Sequence, residues 1–145
     1  MVRALVFFLG FVLVSCQSDV LYHHYEHVYE NGWSQLDTLR FALPPAPHDG
    51  TYALQMGVRY TPDFPYCDVS AVIDYGTGAS DTLLIPFASA DGKPLGRGVS
   101  LLHKTLPLPP LYLHEGQQPT ISLHHIMRRE VLPSIREIGI RVEEE

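Results

Sequence analysis

Tyr52-Ala53-Leu54-Gln55-Met56-Gly57-Val58-Arg59-Tyr60 decides the class of fold. Tyr52, Leu54, Met56, Val58 and Tyr60 fall on one parity, and Gln55 and Arg59 fall on the other. That period of two predicts a long strand with one face buried and one face wet. Asp49-Gly50 precedes it as a turn signal, and Thr61-Pro62-Asp63-Phe64-Pro65 closes it as a loop.

The same alternation recurs on both sides. Cys67, Val69, Ala71, Ile73 and Tyr75 share a parity opposed by Asp68, Ser70 and Asp74. Gly76-Thr77-Gly78 turns the chain, and Leu83, Ile85 and Phe87 carry a strand back. Further on, a short strand is expected over 99–102, a proline-rich connection over 107–110, and strands carrying Ile121, Leu123, His125 and Met127 and then Ile138, Ile140 and Val142. Residues 128–136 are expected as a helical turn or as a loop around Pro133. Upstream, Leu39, Phe41 and Leu43 alternate with Arg40 and Ala42 until Pro44-Pro45 ends the ladder. With no helical stretch of 10–15 residues between the strands, a parallel α/β fold is disfavoured. The pattern predicts an all-β chain: an antiparallel β-sandwich of seven to eight strands.

The N-terminus has a different character. Arg3 precedes an apolar run from Ala4 to Val14, followed by Ser15-Cys16. A basic residue, a short apolar core and a small residue at the cut describe a secretion signal. The run is short of the roughly 20 residues a permanent span needs. Leu13-Val14-Ser15-Cys16 fits a lipobox, in which the cysteine sulfur is alkylated with diacylglycerol and the chain is cut before it. Two or three acyl chains, at ~0.8 kcal/mol per buried methylene, anchor stably where one does not. The expected organisation is a signal peptide over 1–15, a tether and entry segment over 16–35, and a sandwich domain over 36–145. Gln17 follows the cysteine where an aspartate would retain the protein at the inner membrane. The outer membrane is therefore the expected location, with the periplasmic face preferred.

Sixteen acidic and ten basic side chains give a formal charge of −6. Loss of Arg3 with the signal leaves nine basic side chains and a charge of −7. Nucleic acid is excluded as a partner on that balance. With Cys16 acylated, Cys67 has no intrachain partner, and its place in an alternating stretch predicts a buried core thiol. Eight histidines invite a metal. However, His23, His24 and His27 lack the His-Glu-x-x-His spacing, and adjacent His124 and His125 on a strand point to opposite faces. No Gly-x-Ser-x-Gly is present, and no base stands near Cys67 in sequence. No metal, cofactor or catalytic residue is assigned, and no enzyme is expected. The stretch from Asp91 to Gly98 lacks the Gly-Lys-Ser/Thr of a phosphate cradle and is expected to be a bulged hairpin. Asp91, Gly92, Gly96, Arg97 and Gly98 form a candidate partner-contact loop.

The order of these features resembles a known family. The lipobox is followed by Gly32-Trp33, the stretch Tyr60 to Tyr66, and Asp81-Thr82-Leu83. Then come Ala90-Asp91-Gly92-Lys93-Pro94-Leu95-Gly96-Arg97-Gly98, Ile126-Met127-Arg128, and Ile138-Gly139-Ile140-Arg141-Val142-Glu143. Over the whole mature chain this is similar to the GldH family of gliding-motility lipoproteins from Bacteroidetes. The resemblance implies a membrane-attached accessory protein of a gliding or secretion apparatus. It carries over one functional position, Cys16, and implies contacts with other cell-envelope proteins. A glycan- or peptide-binding module is the alternative, because a sandwich with exposed tyrosines suits stacking on sugars.

Overall fold

The computed structural model describes residues 19–145, so the signal and Cys16 lie outside the described residues. The strands are β1 (Val20–His27), β2 (Trp33–Ser34), β3 (Leu39–Ala42), β4 (Gly50–Tyr60), β5 (Asp68–Asp74), β6 (Ser80–Pro86), β7 (Leu102–Leu113), β8 (Thr120–His125), β9 (Val131–Leu132) and β10 (Ile135–Glu144). One sheet has the order β1-β10-β4-β7, the other β3-β8-β5-β6, and the two-residue strands β2 and β9 pair separately. All pairings are antiparallel, and no helix occurs among the described residues. The predicted sandwich is therefore the fold, with eight longer strands and one short pair.

The parity of β4 is as its sequence dictates. Tyr52, Leu54, Met56, Val58 and Tyr60 are buried with Ile138, Ile140 and Val142 of β10. Phe41, Val69, Ala71, Ile73, Ile121 and Leu123 come from the opposing sheet. Each such side chain contributes about 1.5–3 kcal/mol of transfer free energy, which mainly offsets the entropy of ordering the chain.

Five expectations are corrected. The entry segment is not a tether over its length: β1 pairs with β10 from Val20 to His27 as an edge strand, and Trp33 is wholly buried. The prolines of 107–110 do not form a connection but lie inside β7. Proline is admitted there because β7 is an edge strand, and because a register shift opposite Tyr52 and Leu54 leaves Pro109 and Pro110 outside the ladder. Residues 99–101 precede that strand and are not part of one. Cys67 is exposed. Its parity matches Val69 and Ala71, but β5 begins only at Asp68, so the thiol sits where the sheet ends. In the stretch 128–136, β9 pairs with β2 and the chain enters β10 at Ile135.

The strand ends also define direction. Val20 of β1 lies opposite Glu143, and the start of β4 lies opposite the end of β7. The chain therefore enters at one end of the sandwich. Tyr60, Leu102 and the connection from β6 to β7 occupy the other end.

Candidate functional site

The outer face of the β1-β10-β4-β7 sheet carries a side-chain network that local sequence does not announce. Register places Tyr25 opposite Gly139, Gly139 opposite Gly57, and Gly57 opposite Thr105, in one row across four strands. With no side chain on either central strand, the Tyr25 ring lies flat over the backbone. A Cβ at Gly139 would come within 2.7 Å of that ring, and one at Gly57 within 2.1 Å of its hydroxyl. The hydroxyl reaches His103 Nε2 at 2.7 Å and donates to it in the Nδ1–H tautomer.

The next row holds Glu137, Arg59 and His103. Arg59 donates to Glu137 at 2.5 Å, and its guanidinium stands 4.1 Å from the centre of the Tyr25 ring. A cation over an aromatic face at such a site is worth about 0.5–1 kcal/mol. Burial raises the Tyr25 phenol above its ordinary value, with Glu137 adding to that effect and Arg59 opposing it. Beside the ring is a depression of about 160 Å³, lined on its polar side by His23, Gln55, Arg59 and Arg141. The site is not legible in local sequence, because residues 16–35 read as a tether and entry segment. The available signal was a glycine in the interior of each of two strands, which marks close approach of another group.

The second surface is the connection between β6 and β7. The sequence predicts one bulged hairpin over Asp91 to Gly98. The structure has two small reversals, because the strands on either side belong to different sheets. Ala88 bridges Pro94, and Arg97 bridges His103. Asp91 accepts from the Ser89 hydroxyl, which holds its carboxyl below the ordinary range. Gly92 turns the chain with φ 85°, and Gly96 N–H donates to the Tyr60 hydroxyl at 2.9 Å. Gly98 has φ 137°, and a Cβ there would lie 2.1 Å from Leu101 O. The predicted residues Asp91, Gly92, Gly96 and Gly98 thus fix the loop, and Arg97 pins it to β7 through its backbone. What the loop presents to solvent includes Leu95 at 43%, Val99 at 92% and Leu101 at 43% exposure.

The histidines divide. His125 is 1% exposed. Its Nε2–H donates to Trp33 O at 2.8 Å, while Nδ1 accepts from Met127 N–H at 3.3 Å. Burial lowers the affinity of this ring for a second proton; the hydrogen bonds to the Trp33 and Glu130 backbone oppose that effect, and His124 adds to it. Among the described residues, no three His, Cys, Asp or Glu side chains gather as metal ligands.

Fold and surfaces together define a small antiparallel β-sandwich with a braced network on one sheet face and, at one end, a loop that exposes both aliphatic and charged side chains. The chain belongs to the GldH lipoprotein family, whose model matches residues 20–142. It is thereby a membrane-anchored lipoprotein of the cell envelope. Comparison with curated proteins gives no match. Among solved structures, the chain is similar to a family 35 carbohydrate binding module from Clostridium thermocellum. Identity is 21% over 79% of this chain and 76% of that one, with a TM-score of 0.47. It is also similar to the CBM35 from Cellvibrio japonicus Abf62, with 14% identity over 87% of this chain and 88% of that one and a TM-score of 0.45.

Proposed function

We propose that this protein is a non-enzymatic accessory component of a gliding or secretion-related machinery, held at the outer membrane by lipid on Cys16 and acting through protein contacts. The domain faces the periplasm in this reading. Cys16 stands four residues before Val20, where β1 begins. Four residues reach at most about 14 Å, so a lipidated chain keeps its domain close to the bilayer. The contact surface is the loop between β6 and β7, at the end of the sandwich remote from that entry point.

The observation that carries this reading is the exposure of Val99, with Leu95 and Leu101, on a loop whose backbone is fixed by glycines and hydrogen bonds. Aliphatic side chains held at the surface of a fixed loop offer apolar area that a docking partner can bury. Rigid presentation also lowers the ordering cost of binding. The test is genetic. Deletion of the gene in a gliding relative is expected to abolish spreading or impair secretion, and Cys16→Ala is expected to fail to restore either. Normal spreading and secretion in the deletion strain would overturn the proposal.

A further inference from the structure

The loop between β6 and β7 joins one pair of sheet edges, and the other pair carries a different surface. β1 and β3 are the opposite edges of the two sheets. Beside the end of β1 and the start of β3 is a depression of about 360 Å³, lined by His27, Tyr29, Leu36, Asp37, Thr38 and Arg40. Its size falls within the range of small-molecule sites, which begins at about 300 Å³.

The frame of this depression is fixed by the core. Gly32 N–H donates to Tyr29 O at 2.9 Å and closes the turn after β1. Asp37 N–H donates to Ser34 O at 3.0 Å, and Asp37 O accepts from the indole of the fully enclosed Trp33 at 2.9 Å. On that frame the side chains are open. Tyr29 is 70% exposed and Leu36 84%. Asp37 and Arg40 line the same depression, yet neither has an ion-pair partner among the described residues. Arg40 reaches only the Ser122 hydroxyl, at 3.5 Å.

We propose that this depression binds a neutral carbohydrate, with the Tyr29 ring as its platform. An occupant that uses the whole lining must donate to the Asp37 carboxylate, accept from the Arg40 guanidinium and lay an apolar face on a ring. Sugar hydroxyls both donate and accept, and bonds to charged groups are the stronger ones. The C–H face of a sugar covers an aromatic ring whose hydroxyl stays wet. A charged ligand would match one of Asp37 and Arg40 and oppose the other. A peptide adding as a strand is poorly served, because β3 has four residues and Pro44-Pro45 follow closely. The inference goes beyond the protein-contact reading and does not depend on it.

The test is calorimetry on the full-length protein in an amine-oxide detergent, which carries no sugar headgroup. The probes are maltohexaose, cellohexaose, xylohexaose and mannohexaose, with oligogalacturonate and an uncharged Ser/Val pentapeptide for comparison. At least one neutral hexaose is expected to bind, and to weaken about tenfold in Tyr29→Ala and in Asp37→Asn. Tyr29→Phe, which keeps the ring, is expected to retain binding. Tyr112→Ala, at an exposed ring near the chain entry, is expected to bind as the wild type does. Denaturation midpoints establish that each variant is folded. Failure of folded wild type to bind any neutral hexaose, or unchanged affinity in Tyr29→Ala or Asp37→Asn, would overturn the inference. So would tighter binding of oligogalacturonate or the pentapeptide than of every neutral hexaose. Any of these results would leave the deletion phenotype of the gliding reading untouched.

Discussion

The segment from Val20 to Ser34 and the loop from Ser89 to Leu101 exchange the roles their sequences suggest. The first has the mixed aromatic, histidine and acidic composition of an entry segment, yet it is built into the sandwich. β1 closes one sheet edge, Tyr25 covers the paired glycines, and Trp33 is completely enclosed. The second is rich in glycine and flexible by composition, yet it is held at both reversals and displays aliphatic side chains. Segments near an anchor can carry stability, while the proposed contact is made by a loop that contributes little to it. Substitutions in the two regions should therefore separate stability from activity.

Trp33→Ala should have the largest effect on stability. The indole is fully enclosed and donates to Asp37 O at 2.9 Å. Its removal should cost about 3–5 kcal/mol, read as a fall in the urea midpoint. A loss under about 1 kcal/mol would mean that the entry segment is dispensable after all.

Gly139→Val comes next. The new side chain must displace the Tyr25 ring, which overpacking data place at about 1–3 kcal/mol. In a Tyr25→Ala background the clash is gone, and a β-branched residue suits a strand interior. The same substitution should then be neutral or stabilising. Additivity across that double-mutant cycle would show that the ring does not lie over the glycines.

The pH dependence tests the join between Trp33 and the core. The folded state depresses the pKa of His125, so the unfolded chain takes up the proton first on acidification. The stability from the neutral buried ring is full above about pH 6.5, the ordinary histidine value, and is lost as pH falls from there through the folded pKa. Urea midpoints at pH 7.5 and 5.5 should show this decline in the wild type. His125→Phe should show a shallower one, although it is less stable overall for want of the bond to Trp33 O. Equal declines would place the acid sensitivity elsewhere.

Much of this fold was legible because side-chain parity is a local property. The alternation from Tyr52 to Tyr60 specified a strand, its buried face and its wet face without reference to any partner. Cys67 marks the limit of that logic: its parity is inward, but whether the opposing sheet extends over it is a tertiary matter. β1 was missed because Tyr22, Tyr25 and Val28 allow more than one period, and its partner lies more than a hundred residues away. The prolines of β7 argued against a strand, and only its position at an edge permits them. The connection between β6 and β7 is legible as a turn region, but which side chains it displays is not. Glycine and aspartate report turn geometry, whereas exposure of Val99 depends on what fails to pack over it.

The smallest stability effect and the largest functional one are expected at the same place. Val99→Ser with Leu101→Ser should shift stability by no more than about 0.5 kcal/mol each, as exposed substitutions do. That pair gives the most direct test of a lipid-anchored protein working through its β6–β7 loop. In a deletion strain of a gliding relative, the double variant should accumulate to wild-type levels, fractionate with the membrane and fail to restore spreading. Full restoration of spreading by the same variant would contradict the assignment of the contact surface to this loop.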